Sequence, residues 1–324
     1  MKLITDINPF ILAGAIWLGL LPAQSALAQT DGRAQFHRVA ISEPSELNGV
    51  VLQYAESGPA DEGIPPAVVL LGGSNGGIWF GHIGMDFISR GVSTVSLSYF
   101  GHDGQPDHLI ERPLEPIADA LEMVRGSRGA TRRCLAIVGV SKGGELALLL
   151  AAYQSELATT GASLADAYVA AVPSHVVWQA PHATLRVRSS WALDDEPMPF
   201  VPYRWASSHL PDVFFNRLEV GAFIADSLNN PAAVEAAAIP TERIVQPTLL
   251  IAGTNDLMWP SAEMSQAAMN RAEHLNPDTP VRLELRDLDH FVLSDPEARR
   301  TAVEFVVDHL RQAAASGHCD ADFD

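Results

Sequence analysis

The segment from Cys134 to Tyr153 constrains the fold of this chain more than any other stretch. It begins with a short apolar, β-branched run at 135–138, turns through Gly139-Val140-Ser141-Lys142-Gly143, and continues as strong helix formers at 145–152. A strand, a tight turn and a helix with a serine at the apex form the G-x-S-x-G motif, which exposes a nucleophilic hydroxyl. The flanking glycines lie where a side chain would block the approach of strand and helix. The motif also occurs by chance in glycine-rich chains, so a base, an acid and an oxyanion hole must be found elsewhere.

Strand and helix patterns alternate along most of the chain. Continuous or β-branched apolar runs predict strands, and longer amphipathic runs predict helices. The predicted strands are 36–42, 49–56, 67–71, 93–99, 135–138, 168–172, 248–253 and 281–288. The predicted helices are 82–90, 114–126, 145–152, 261–275 and 296–315. This alternation indicates an α/β fold with a mostly parallel central sheet covered by helices on both faces.

The stretch from Pro173 to about Ile239 lacks this alternation and is rich in prolines and aromatic residues. Its aromatic residues include Trp178, Trp191, Phe200, Trp205, Phe214, Phe215 and Phe223. We interpret residues 175–239 as a cap-like insertion at the carboxyl edge of the sheet. The alternative is a peripheral helical layer whose aromatic side chains are only core. The main domain is then expected over 29–315, followed by an acidic, disordered tail at 316–324.

The first 28 residues predict a signal peptide. Lys2 precedes an apolar run from Pro9 to Leu21, and Ala26-Leu27-Ala28 gives a small-x-small cleavage pattern. The apolar run is shorter than the roughly 20 residues that a membrane-spanning helix needs, which disfavours a membrane anchor. We therefore expect export to the periplasm or the medium, with no stable membrane insertion after cleavage.

Export permits a disulfide between Cys134 and Cys319, the two cysteines of the chain. Cys134 opens a predicted core strand, whereas Cys319 lies in the polar tail. The sequence leaves open whether the two cysteines pair or stay as free thiols.

The charge of the chain excludes several classes of partner. With 21 basic and 39 acidic residues, the formal net charge is -18, which argues against binding to nucleic acid or anionic membrane.

The glycine run at 72–77 lacks the Lys-Ser/Thr ending of a phosphate-binding loop. Since no His/Cys/Asp/Glu grouping has metal-ligand spacing, we expect neither a metal nor a cofactor.

Three residues of the chain are candidates for the nucleophile, acid and base of the site that the G-x-S-x-G motif indicates. In the α/β-hydrolase fold, a serine, an acid and a histidine follow strand ends in that chain order. Ser141, Asp256 and His290 do so here. A serine hydroxyl needs an imidazole to take its proton, and a carboxylate holds the imidazole in the required tautomer. We therefore predict Ser141 as nucleophile, Asp256 as acid and His290 as base, with Asp287 and Asp289 as competing acids.

Two backbone N–H groups should stabilise the oxyanion that forms during acyl transfer. The amide of Lys142, directly after the nucleophile, is the first predicted donor. The second should come from the glycine-rich turn at 72–77, where Ser74 is our choice and Asn75 the alternative.

Three further residues are assigned to the substrate pocket. His175 follows a predicted strand end, and a structural histidine is an equally good interpretation of it. Trp178 belongs to the aromatic insertion, and Trp259 follows the predicted acid.

The runs GVSKGGEL at 139–146 and GTND at 253–256, followed by WPS at 259–261, resemble a known family. It is the C-terminal catalytic domain shared by acyl-CoA thioester hydrolases and bile acid-CoA:amino acid N-acyltransferase. The glycine turn and the segments 173–178 and 199–203 also look similar to bacterial members, and the resemblance extends from about Ala67 to Leu310.

The resemblance implies an α/β-hydrolase fold with the nucleophile, acid and base at Ser141, Asp256 and His290. Serine rather than cysteine as nucleophile implies hydrolysis rather than amino acid conjugation.

The sequence as a whole predicts an exported serine hydrolase that cleaves a small-molecule acyl ester or thioester through an acyl-serine intermediate. A carboxylesterase, a dienelactone-type hydrolase or a peptidase would use the same three residues. An exported binding protein without catalysis is the alternative from a different class. The oligomeric state is left open.

Overall fold

The computed structural model describes residues 39–57, 64–126, 132–181, 187–204 and 220–322. The predicted signal peptide and the predicted insertion residues Trp205, Phe214 and Phe215 lie outside the described residues. Among the described helices, none combines the length and the apolar character needed to cross a bilayer.

A mixed sheet of nine strands lies at the centre of the described chain. The strands of the structure are β1 (Val39–Ile41), β2 (Ser45–Leu47), β3 (Val50–Ser57), β4 (Ala67–Leu71), β5 (Ser93–Ser98), β6 (Arg112–Pro113), β7 (Leu135–Val140), β8 (Ala167–Ala171), β9 (Trp191–Leu193), β10 (Glu196–Pro197), β11 (Thr248–Gly253) and β12 (Val281–Arg286). The order in the central sheet is β1-β3-β5-β4-β7-β8-β11-β12, and β2 pairs with β3. The strands from β5 to β12 in this order run parallel, and β1, β2 and β3 pair antiparallel.

Helices cover both faces of the sheet. They are α1 (Gly81–Ile88), α2 (Glu115–Arg125), α3 (Lys142–Ala152), α4 (Gln154–Leu157), α5 (Val220–Ser227), α6 (Pro231–Ala237), α7 (Ser261–Leu275) and α8 (Pro296–Ala315), with 3-10 turns at Thr241–Arg243 and Val292–Ser294. Successive side chains of a strand point to opposite faces. In β4, Val69 and Leu71 belong to a buried cluster that includes residues of α2, α3 and α7, whereas Val68 and Leu70 belong to one that includes residues of α1 and α8. Burial on both faces explains why these strands are continuous apolar runs. The predicted α/β-hydrolase architecture is confirmed.

The described part of the chain between β8 and β11 contributes no strand to the central sheet. In its described part, β9 and β10 join β6 in a small three-stranded sheet. Val176, Trp178 and Phe223 form a separate apolar cluster with Trp259. Trp178 and Trp191 are 0% exposed, so these two rings belong to the core in this structure. A cap role for residues 175–239 stays a prediction.

The described part of the C-terminal tail, 316–322, is ordered, although its acidic sequence predicts disorder. Cys319 forms a disulfide with Cys134 and is buried beside the first residue of β7. The Cys134 N–H donates to the Asp320 carbonyl at 3.2 Å, and the Asp322 N–H donates to the Ile64 carbonyl at 3.1 Å. The acidic composition favoured disorder, but the disulfide and these backbone bonds hold the tail against the body. The sequence left open whether Cys134 and Cys319 form a disulfide or stay as free thiols, and the structure contains the disulfide.

Candidate active site

Ser141 lies at the apex between β7 and α3 in a strained backbone conformation. Its φ of 57° and ψ of -117° fall outside the regions that a non-glycine residue ordinarily adopts. The Ser141 N–H donates to the Ala171 carbonyl at 2.9 Å, and the Glu145 N–H donates to the Ser141 carbonyl at 3.0 Å. Strain of this kind persists only where surrounding contacts determine it, and it is concentrated at functional sites.

The two glycines of the motif are required by close packing. A Cβ added to Gly139 would lie 1.9 Å from the Gly143 carbonyl oxygen. A Cβ added to Gly143 would lie 2.2 Å from the Leu71 oxygen and 2.5 Å from the Gly72 oxygen. Any side chain at either position would therefore push α3 away from β7 and β4.

The glycine-rich turn at 72–77 lies against the nucleophile. A Cβ added to Gly73 would be 3.2 Å from the Ser141 Cβ and 3.7 Å from the Ser141 Oγ. Ser74 is the next residue, half-buried in a turn, and Lys142 is the first residue of α3. The two segments that carry the predicted oxyanion donors thus meet at Ser141, while the donor roles themselves stay predictions.

Asp256 and His290 form a direct pair. The Asp256 Oδ2 and the His290 Nδ1 are 2.7 Å apart, and the two side chains are 1% and 8% exposed. The Asp256 Oδ1 accepts hydrogen bonds from the backbone N–H groups of Met258 at 2.9 Å and Trp259 at 3.2 Å. Because both carboxylate oxygens are engaged, the acid is held in one orientation towards the ring.

The competing acids do not take this position. Asp289 is exposed, and its Oδ1 accepts the Phe291 N–H at 2.8 Å. The Asp287 carboxylate accepts a hydrogen bond from the Asn255 side chain at 2.5 Å. In this structure, Asp256 is the acid that contacts His290.

The three predicted catalytic residues follow the carboxyl ends of β7, β11 and β12, which point to the same edge of the parallel sheet. This edge is where ligands bind in open α/β sheets. The strands that carry Ser141 and Asp256 are joined through β8, since the Val172 N–H donates to the Ile251 carbonyl at 2.7 Å.

Trp259, predicted to contact substrate, lies beneath the base. It is 5% exposed, its indole N–H donates to the Val172 carbonyl at 3.1 Å, and its ring meets the His290 ring edge-on at 5.9 Å between centroids. Trp178 is completely buried, with its indole N–H donating to the Ser174 Oγ at 2.8 Å. The Trp259 ring thus packs against the base, and Trp178 belongs to the same buried cluster as Trp259. Substrate contact by either ring stays a prediction.

His175 follows the end of β8 by four residues. Its carbonyl accepts the Ile239 N–H at 2.9 Å, and its Nδ1 is buried without a hydrogen-bond partner among the described residues. Burial lowers the pKa of His175 to about 4. The imidazole is therefore neutral at neutral pH.

A buried ion pair that was not predicted from the sequence lies directly after the nucleophile. Lys142 and Glu145 are 1% and 0% exposed, and the Lys142 Nζ donates to the Glu145 Oε1 at 2.7 Å. The spacing of three residues on one helix was the available signal. Burial lowers the pKa of Lys142 and raises the pKa of Glu145, while their mutual attraction opposes both shifts.

The described residues contain one grouping close enough to be considered as a metal site. It consists of Cys134, Asp166 and Cys319, whose ligand atoms lie within 4.8 Å of one another. Its cysteines form the disulfide, and Asp166 accepts hydrogen bonds from Arg125 and from the Leu135 N–H. The grouping lies at the amino end of β7, whereas Ser141 follows the carboxyl end.

Comparison with known proteins identifies a family. The model of the family described as BAAT / Acyl-CoA thioester hydrolase C terminal matches residues 112–292, more than half of the chain. The match covers Ser141, Asp256 and His290.

Curated relatives agree with this match. Mitochondrial acyl-coenzyme A thioesterase 2 of Rattus norvegicus is 23% identical over 234 residues, which cover 72% of this chain and 46% of that protein. Acyl-coenzyme A amino acid N-acyltransferase 2 of Rattus norvegicus is 28% identical over 102 residues, which cover 32% of this chain and 24% of that protein. The chain spans about half the length of the thioesterases that it matches.

Solved structures agree on the fold. Brefeldin A esterase, a bacterial homologue of human hormone sensitive lipase, has a TM-score of 0.55 and 18% identity, covering 88% of this chain and 81% of that one. A fungal esterase from Rhizomucor miehei has a TM-score of 0.53 and 18% identity, covering 87% of this chain and 86% of that one. At this level of identity, the likeness establishes the fold.

Proposed function

Because the chain belongs to the BAAT / acyl-CoA thioester hydrolase C-terminal family, we propose that it is a serine hydrolase of acyl esters or thioesters. The observation that carries the proposal is the buried Asp256–His290 pair, 2.7 Å apart, at the same sheet edge as the strained Ser141. The names of the relatives support the substrate class, and the residue type at position 141 supports the serine mechanism.

Acylation follows from the orientation of the base. With its proton on Nδ1, His290 donates to Asp256 and leaves Nε2 to accept the proton of the Ser141 hydroxyl. The Ser141 Oγ attacks the acyl carbonyl carbon, and the amide N–H groups of Lys142 and Ser74 stabilise the resulting oxyanion. When the intermediate collapses, the bond to the leaving alkoxide or thiolate breaks, and the imidazolium returns the proton to that leaving group.

Deacylation repeats these steps with water. Neutral His290 removes a proton from water, the resulting hydroxide adds to the acyl-serine carbonyl, and the Ser141 oxygen leaves with the proton held by the imidazole. The products are a free acid and the regenerated enzyme.

The experiment is Ser141→Ala together with labelling by a fluorophosphonate. We expect kcat to fall about 10⁴-fold or more while the circular dichroism spectrum is unchanged. Mass spectrometry should find the label on Ser141 of the native chain and not of the heat-unfolded chain, because only an activated hydroxyl reacts. Near-normal turnover by Ser141→Ala would overturn the serine mechanism, and an unlabelled native chain would favour a binding protein.

We propose further that the protein is exported. The predicted signal peptide motivates this proposal, and the disulfide supports it because such bonds persist in oxidising compartments. Intact-mass analysis of the protein from its native host should show a chain beginning at Gln29. An unprocessed chain in the cytoplasm would contradict export.

A further inference from the structure

The Lys142–Glu145 pair extends into a set of buried contacts that reaches both halves of the predicted oxyanion hole. From these contacts we infer that Glu145 is a positioning residue, which acts through Trp191 and Tyr99 to fix the turn after Ser141 against the glycine loop. The inference rests on the proposed hydrolase function.

Glu145 connects the turn after the nucleophile to the segments that follow β8. Its Oε1 accepts hydrogen bonds from the Lys142 Nζ at 2.7 Å, from the Trp191 Nε1 at 2.7 Å and from the Trp178 N–H at 3.3 Å. All of these residues except Lys142, which is 1% exposed, are 0% exposed. One carboxylate oxygen thus joins α3 to β9 and to the chain after β8, by bonds that a charged acceptor strengthens.

Trp191 carries this connection to the glycine loop. Its ring lies 5.4 Å from the Tyr99 ring, centroid to centroid, and the Tyr99 hydroxyl donates to the Gly72 carbonyl at 2.6 Å. Gly72 is followed by Gly73, which packs against Ser141, and then by Ser74. The amide of Lys142 and the amide of Ser74 are therefore held by the two ends of one chain of contacts.

The chemistry of the pair favours positioning over stability. Removing two charges from water is unfavourable, and an apolar pair of similar volume often stabilises a protein equally well. The Glu145 Oε2 is also buried without a hydrogen-bond partner among the described residues. What an apolar pair would not provide is an acceptor that fixes the Trp191 indole.

The test compares two double variants that both remove the buried charges. Lys142→Met/Glu145→Gln keeps a neutral acceptor for Trp191, whereas Lys142→Met/Glu145→Leu has none. We expect the leucine variant to melt at a lower temperature than the glutamine variant, because the buried N–H groups of Trp191 and Trp178 lose their acceptor. At a temperature where both variants are folded, its kcat on p-nitrophenyl butyrate should be about 10-fold lower or more, with KM changed less than about 3-fold. An alkyl trifluoromethyl ketone forms an oxyanion when Ser141 adds to it, so it should inhibit the leucine variant less strongly. Its inhibition constant should rise by the same factor by which kcat falls.

Trp191→Phe keeps the ring against Tyr99 and removes the N–H, so it should lower kcat in the same way even where a double variant does not fold. The matched control is Asp166→Asn, which weakens another buried ion pair, with Arg125, at the amino end of β7. It should lower the melting temperature and leave kcat unchanged.

Equal kcat values for the two folded double variants, normal kcat for Trp191→Phe, or an equal loss of kcat in Asp166→Asn would each overturn the positioning role. Failure of the proposed function itself would look different, because the native wild-type chain would then neither turn over the ester nor take the fluorophosphonate label.

Discussion

At the scale of single residues, His175 couples the stability of the fold to pH. Its imidazole is neutral in the folded protein because burial lowers its pKa to about 4, whereas in the unfolded chain it has the ordinary pKa of about 6.5. The unfolded state therefore binds the proton more readily between these values. The stabilisation is fully present above about pH 6.5 and is lost progressively as the pH falls to about 4.

We predict that His175→Gln flattens this part of the pH profile. The wild-type protein should lose up to about 3 kcal/mol of unfolding free energy through His175 between neutral pH and pH 4, a loss that a non-titrating side chain does not show. Urea unfolding of both proteins at about pH 7.5 and about pH 4.5 measures the difference. Identical pH dependence in the two proteins would mean that His175 titrates normally.

At the residue scale, the sequence predicts the position of a side chain where a local pattern determines it. Ser141 and Asp256 each follow an apolar run, and His290 follows a run of alternating apolar and charged residues, so their place at one sheet edge could be predicted. The role of Glu145 could not, because its partners Trp178 and Trp191 are 33 and 46 residues away. The run that contains Glu145 indicated only a family.

At the scale of elements, boundaries were predictable where the cue is local. β11, α7 and α8 occupy the predicted ranges. The start of α8 combines Pro296 at the first helical position with Asp295, whose Oδ1 accepts the Glu297 N–H at 3.0 Å and the Ala298 N–H at 2.9 Å. Such a signal needs no knowledge of the tertiary structure.

Elements determined by distant contacts were less predictable. α3 begins at Lys142, three residues before the predicted start at 145. The low helix propensity of Gly143 and Gly144 favoured the later start. In the structure both glycines are helical, because they pack closely against the neighbouring strands. β9 and β10 contain three and two residues, too few to show an alternating pattern. In the structure, the chain after β8 brings β9 alongside β6, and β10 then pairs with β9.

The tail and β7 form another element-scale unit, and we predict that Cys319→Ser weakens it without affecting catalysis. The disulfide closes a separation of 185 residues, so its loss should lower the unfolding free energy by about 2–5 kcal/mol. kcat should stay within about 2-fold, because Ser141 lies beyond the opposite end of β7. Dithiothreitol should lower the melting temperature of the wild-type protein and not of Cys319→Ser; a reductant effect of equal size in both would contradict the assignment.

At the scale of the whole molecule, the net charge of -18 should affect how readily a substrate with a negatively charged leaving group approaches the site. Asp287 and Asp289 are exposed beside His290, whereas the positive charge of Lys142 is buried against Glu145. A coenzyme A thioester carries several negative charges, so its approach should be opposed by the negative electrostatic field of the protein, which salt screens.

We predict that kcat/KM for octanoyl-CoA rises as ionic strength increases from about 10 mM to about 150 mM, since the Debye length falls from about 30 Å to about 8 Å. The matched control is the octanoyl thioester of N-acetylcysteamine, which has the same acyl group and no charge, and whose kcat/KM should stay constant. A fall of the coenzyme A value with salt would show instead that a basic surface guides the nucleotide to the site.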